Sequence, residues 1–266
     1  MTLAFPEFST SLVKPSPQPA TPPLRYGMLE RILAHAAPFP NDTLLFGMGE
    51  DGFPLILELN DPGAGTFALI GDRDSGLRNL MRVLLYSLVY LNAPEHAAFY
   101  AIGVETLWLD DYIGYAHCLG VERAYYHAAR ELILHLVSVC EARRAGRHPG
   151  PHVVLLLDDF RALLARFDGE TQNDLRYLMQ AGPAQGIWPI ASIHSEDIGH
   201  LWYDWQTVWR TRILGHIADE RIARKLDVDG LPRAAYLQPG REFGTRVQRR
   251  WLRFAIPAFY EHELRA

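Results

Sequence analysis

The stretch Ala68–Asn79, ALIGDRDSGLRN, decides how the rest of the chain is read. An apolar run meets Gly71, four residues separate it from Gly76, and a long amphipathic segment follows. This is the frame of a phosphate-binding loop, G-x-x-x-x-G-K-[ST]. In such a loop, backbone N–H groups and a helix N-terminus cradle phosphates, the lysine pairs with the β and γ phosphates, and the hydroxyl holds Mg²⁺. Here Gly71-Asp72-Arg73-Asp74-Ser75-Gly76 is followed by Leu77 in the lysine place and Arg78 in the hydroxyl place. Leucine brings no charge, and arginine is not a metal ligand. The chain's lysines, Lys14 and Lys225, lie in other segments. Arg73, Arg78 and Arg82 are the nearby cations, while Asp72 and Asp74 put negative charge where an anion would sit. Asp74 or Ser75 is also placed to cap the helix in a phosphate's stead. The expectation is a loop without a resident cofactor, with weak Mg-ATP or Mg-ADP binding as the alternative.

The surrounding chain reads as alternating strands and helices. A short amphipathic helix is expected over residues 26–37, and Thr43–Leu59 reads as a hairpin turned at Gly49–Gly52. Strands follow over 65–71, 97–103, 152–159, 187–193, 210–218, 234–238 and 247–256. Helices are expected over 75–92, 122–145, 160–167, 170–181 and 219–226, the longest with Tyr125, Ala129, Leu132, Leu136 and Cys140 on one face. The strands are continuous apolar runs rather than period-2 alternations. That indicates an α/β fold with a mostly parallel sheet and helices on both faces. In such sheets ligands sit at the carboxyl ends of strands, where Gly71 and the pair Asp158-Asp159 both fall. In an active phosphate-loop enzyme the first acid after such a strand anchors Mg²⁺-bound water and the second polarises the attacking water. Acids at strand ends also cap the next helix.

Composition sets the outer bounds. The chain has 266 residues, 48% of them hydrophobic, and a formal net charge of -5. With an isoelectric point of about 6.1, a surface that clings to DNA as a whole is disfavoured. Cys118 and Cys140 have no metal-ligand spacing, and the histidines show none either, so no metal site is expected. A reduced, cytoplasmic setting follows. No apolar run approaches the about 20 residues that span a bilayer. Residues 1–25, with KPSPQPATPPL, read as a Pro-rich flexible tail, and 26–266 as one domain. Phe5 and Phe8 in that tail suit a peptide that docks on a neighbour. Trp202 and Trp209, set off a helical face shared by Leu201, Trp205 and Val208, suit a partner surface. RVQRRWLRF, residues 246–254, mixes arginine with tryptophan and is the candidate contact to nucleic acid.

Taken together, Thr43 to Phe259 resembles an FtsK/HerA-type P-loop ATPase domain, the RecA-like family of ring-forming DNA translocases that includes type VII secretion ATPases. FGMGEDGFPLILEL resembles the family's lead-in hairpin, and GDRDSGLRN lies where the family has G-T-T-G-S-G-K-S. CEARRA resembles the end of its long helix, and VVLLLDDF its acidic strand. AGPAQGIWPIASIHS and TRILGHIADERIARKL resemble the segments that follow. The departures fall at the chemistry. Leu77 and Arg78 replace Lys and Ser. Gly103-Val104-Glu105-Thr106 replaces I-D-P-K. Pro183 stands where an arginine would be, and His194 where a glutamine senses the γ-phosphate. The resemblance implies the fold. The departures imply a non-catalytic subunit or docking module among other proteins, beside an active paralogue or other complex subunits. The alternatives are a non-standard ATPase or DNA translocase using Arg73 or Arg78 with Asp158, and a nucleic-acid-binding module without hydrolysis.

Overall fold

The computed structural model describes residues 29, 33, 34, 39–125, 127–147, 149–247 and 250–257, with the side chain of Trp202 outside that description. Ten strands form one sheet in the order β2-β1-β10-β9-β8-β3-β7-β6-β4-β5. They are β1 Thr43–Gly49, β2 Pro54–Glu58, β3 Phe67–Gly71, β4 Ala97–Gly103, β5 Cys118–Arg123, β6 His152–Asp158, β7 Ile187–His194, β8 Thr211–Leu214, β9 Glu242–Val247 and β10 Arg250–Ala255. From β8 to β5 every pairing is parallel. From β8 to β2 every pairing is antiparallel. The helices are α1 Leu77–Leu91, α2 Asp110–Ile113, α3 His127–Arg144, α4 Phe160–Leu164, α5 Gly169–Ala181, α6 Ile198–Trp205 and α7 Glu220–Leu226.

The pleat sends alternate strand residues to opposite faces, and both faces are buried. Ala68 and Ile70 of β3, with Val153, Leu155 and Leu157 of β6, enter a core closed by residues of α3 to α7. Phe67 and Leu69, with Val154 and Leu156, enter a second core under α1 and the β1–β2 hairpin. Helix α1 forms because Leu77, Leu80, Met81, Leu84, Leu85 and Leu88 recur at three and four residues and are all buried. Its polar Ser87 donates to Leu84 O at 2.9 Å and accepts from Leu45 N at 3.0 Å, and Asn92 accepts from Thr43 N at 3.2 Å. The side chains of this helix thereby serve backbone groups of β1. Leu29 and Leu33 are helical and wholly buried in the same core.

Three sequence expectations are corrected. The helix expected over 122–145 begins only at His127, because Cys118–Arg123 forms the edge strand β5 and Tyr125 lies exposed between the two. A strand this lightly buried carries no strong apolar pattern. Residues 234–238 are not a strand. Arg233–Tyr236 forms a 3-10 turn after Pro232, with Arg233 held by ion pairs to Asp227 and Asp229, and the strand is Glu242–Val247 instead. The strand at 210–218 shortens to Thr211–Leu214, and Gly215 just beyond it packs against Ser75 so closely that a Cβ there would lie 3.0 Å from the serine Cβ.

Candidate functional site

Register places the site. Gly71 of β3 pairs with His194 of β7, Leu157 of β6 with Ala191 of β7, and Gly103 of β4 with Asp158 of β6. The carboxyl ends of these four parallel strands therefore stand in a row. A cleft of about 450 Å³ opens there, between the 71–76 loop, the start of α1, Glu105, Asp158, Ser192, His194 and Gly240.

The loop is held by its own side chains. Asp72 accepts from Ser195 Oγ and from Ala218 N, the latter at 2.8 Å, which ties the loop to the segments after β7 and β8. Ser75 is fully buried and donates to Asp72 O at 2.5 Å. Neither Ser75 nor Asp74 caps α1. The N-cap is Gly76, left-handed at φ 87°, with no side-chain bond to the first amides among the described residues. A Cβ on Gly76 would come within 2.8 Å of Gly240 Cα, so the backbone near Pro239 lies directly on the turn. Arg73 points outward to Glu196 at 2.5 Å, and that carboxylate raises the guanidinium pKa. Both partners are well exposed, so the pair contributes little.

The two residues at the chemical positions go elsewhere. Leu77 is 4% exposed and belongs to the core under α1. Arg78 turns across the cleft: its Nε donates to Asp158 Oδ2 at 3.1 Å and its Nη2 to Glu105 Oε2 at 3.2 Å. Asp158 is 5% exposed. Its Oδ2 also accepts from Trp108 Nε1 at 3.0 Å, and its Oδ1 from Ser192 Oγ at 2.9 Å. The acid that would face a metal is thus engaged by three protein donors. Asp159 is left-handed at φ 58° and serves as N-cap of α4, accepting from Ala162 N at 3.2 Å. His194 ends β7 beside the cleft, with its Nδ1 buried and lacking a hydrogen-bond partner among the described residues. Nearby Asp197 is pushed up by burial, and by Asp159 and Glu196. Set against magnesium nucleotide chemistry, this donor set does not fit. Among the described residues no ammonium reaches the loop, no hydroxyl stands at position 78, and a guanidinium already lies on Asp158.

Sequence reasoning brought together Gly71–Arg78 with Asp158 and Asp159 at one sheet edge, as found. It missed Trp108 and Ser192 and gave Glu105 no role. Nothing in their spacing marks them, because only the folded register brings them to Asp158. The partner candidates fare differently. Phe5 and Phe8 lie outside the described residues. Trp202 belongs to α6, its side chain outside the description. Trp209 is a correction: it is 4% exposed, its ring centroid 5.0 Å from that of Phe160. Helix α6 stops at Trp205, and the turn that follows returns Trp209 to the core, so the helical spacing no longer applies. In the 246–254 stretch, Arg246 pairs with Asp227 and Asp229, and Arg253 with Glu50 and Glu242. Much of that basic charge is therefore spent within the fold.

Among the described residues, no group of three or more His, Cys, Asp or Glu is placed to hold a metal ion. No helix among them is long and apolar enough to cross a membrane.

No family model and no curated protein matches the sequence. Solved structures do match. The cytoplasmic domain of the Thermomonospora curvata type VII secretion ATPase EccC aligns with a TM-score of 0.67 at 19% identity, over 85% of this chain and 28% of that one. EssC (ATPases 2 and 3) from Geobacillus thermodenitrificans aligns with a TM-score of 0.67 at 17% identity, over 85% of this chain and 47% of that one. The pCW3 conjugation coupling protein TcpA, in monomer form with ATPγS, aligns with a TM-score of 0.64 at 14% identity, over 84% and 68%. The chain thus spans well under two thirds of the EccC and EssC structures. Its fold is that of an FtsK/HerA-type P-loop ATPase domain: an open, mostly parallel sheet with helices on both faces and a lead-in hairpin.

Proposed function

We propose that this chain is a non-hydrolysing module of FtsK/HerA-type architecture that works as a structural or docking subunit of a larger protein assembly. One observation carries the reading. The cation that reaches Asp158 is the chain's own Arg78, at 3.1 Å, while the lysine position is spent on the core as Leu77. Among the described residues a nucleotide would meet no ammonium for its phosphates, and its metal would have to displace a guanidinium from a buried carboxylate. The loss of nucleotide chemistry beside an intact fold and two full hydrophobic cores suits a part kept for what it holds in place. The partners it fits are proteins, among them a catalytically active subunit of the same fold, with Phe5 and Phe8 as the docking peptide. Structures that share the fold come from a secretion ATPase and a conjugation coupling protein, which agrees with work inside an assembly.

The test is the thermal unfolding midpoint with and without millimolar Mg-ATP, run beside a hydrolysis assay. A ligand at 100 times its dissociation constant adds about 2.7 kcal/mol, roughly 5–10 °C for a domain of this size. The expected result is no shift and no turnover. A shift of several degrees that is lost in Asp158→Ala would overturn the reading and favour a non-standard ATPase.

A further inference from the structure

The cleft contains a feature that absence of catalysis does not explain. A loop that had merely lost its function would leave Asp158 with water or with its neighbouring donors. Instead, α1 sends a guanidinium across to it, and that guanidinium is shared. Arg78 joins Asp158, at the end of β6, to Glu105, in the segment after β4. Trp108, three residues past Glu105, donates to the same Oδ2 of Asp158 at 3.0 Å. One turn further along α1, the Arg82 guanidinium lies 6.0 Å from the Trp108 ring centroid, and Tyr112 Oη donates to Arg82 O at 3.3 Å. The 105–113 segment thus hangs from α1 and from Asp158. A buried carboxylate holds such a position only with a counter-charge and a full set of donors. Arginine suits the task, because its planar fork can serve two acceptors at once and it stays charged at every working pH.

We propose that Arg78 is a built-in counter-cation: it takes the place of a divalent ion at Asp158 and thereby fixes residues 105–113 in one arrangement with no ligand at all. In a metal-loaded cleft such an arrangement would come and go with the ligand. Here it is written into the chain, and exposed Leu107 and Ile113 on that segment are presented permanently. The inference deepens the function proposed above, and its test uses no nucleotide, so the two can fail separately.

The experiment compares the wild-type chain, Arg78→Ser and the double variant Arg78→Ser/Asp158→Asn, each with and without millimolar MgCl₂ or MnCl₂. It reads the unfolding midpoint and amide hydrogen exchange over 105–113. Arg78→Ser without metal is expected to melt roughly 3–6 °C lower and to exchange roughly tenfold faster over 105–113, with α3 unchanged. Added Mg²⁺ or Mn²⁺ should restore much of both in Arg78→Ser, should do nothing to the double variant, and should leave the wild type unmoved. An Arg78→Ser variant indistinguishable from wild type would overturn the proposal, as would one that metal does not rescue or a wild type that responds to metal. If Arg78→Ser does not fold, a folded double variant supports the counter-charge role. Failure of both variants would mean that Arg78 acts through packing, and the proposal falls.

Discussion

Gly76 shows how closely one position can be bound to the geometry of the cleft. It sits at φ 87° and touches Gly240 backbone to backbone. Only a residue without a Cβ fits both conditions. Gly76→Ala is expected to cost about 1–3 kcal/mol, read as a lower urea midpoint with an unchanged slope. A midpoint that stays would mean that the 238–241 loop simply moves aside. The glycines of this turn were legible in the sequence, because glycine spacing reports backbone conformation and backbone conformation is local. The work of the polar residues between them was not. Asp72 could be read as a charge in an anion's way, yet its carboxylate faces Ser195 and Ala218, both far along the chain. Arg78 was recognised as a misfit for a hydroxyl, but its partner at Asp158 follows only from β6 and α1 meeting at one sheet edge.

Helix termini carry the next layer of information, and some of it responds to pH. Helix α5 is capped by Asp168, whose side chain accepts from Thr171 N at 2.9 Å and also meets Arg130. Bonding to the charged form, the Thr171 amide first, holds this carboxyl below its ordinary value. The sign follows from that direction. The unfolded chain takes up the proton first, so the stabilisation is complete above the ordinary carboxylate pKa and is lost as pH falls through the depressed one. Asp168→Asn keeps an acceptor at the cap but removes the titration. Its midpoint should therefore fall less than that of the wild type between about pH 5 and pH 3. Equal falls would place the acid sensitivity at other carboxylates. Elements with strong patterns, such as β3, β6 and α1, were readable because a buried run or a three-four spacing is one-dimensional. Edge strand β5 and the 3-10 turn at Arg233–Tyr236 were not, since their conformation is set by neighbours rather than by burial period. Trp209 was misplaced for the same reason: a helical wheel cannot see where a helix stops.

The lead-in hairpin is joined to the parallel sheet at the far side from the cleft, through side chains. Asp42 just before β1 lies 3.3 Å from His96, which precedes β4, and accepts from Asn60 Nδ2 at 2.9 Å. Asn60 in turn meets His152 Nε2, at the start of β6, at 3.1 Å. Burial depresses the His152 pKa, with Arg143 and His96 adding to the effect and Asp42 opposing it. The unfolded imidazole binds its proton near pH 6.5 while the folded one resists it. The contribution of His152 is therefore complete above that value and declines as pH falls below it. Between about pH 7.5 and 5.5 the wild-type midpoint should drop more than that of His152→Gln; a matching drop would assign the sensitivity to other groups.

The strand order has a further consequence for how the molecule comes into being. β3 lies between β7 and β8, and β1 meets β10, so each early strand waits for a neighbour made much later. As the chain leaves the ribosome, the apolar strand that ends at Gly71 stays open along both edges until β7 has emerged, and along its β8 edge until residues beyond Leu214 have emerged. No fragment that stops before β7 and β8 can close the central sheet, and contacts this distant in sequence form slowly. The nascent chain thus passes through a long stage in which its central strand is sticky and unpaired. Any partner that meets the protein during synthesis, a chaperone above all, meets that open strand before it meets the finished cleft.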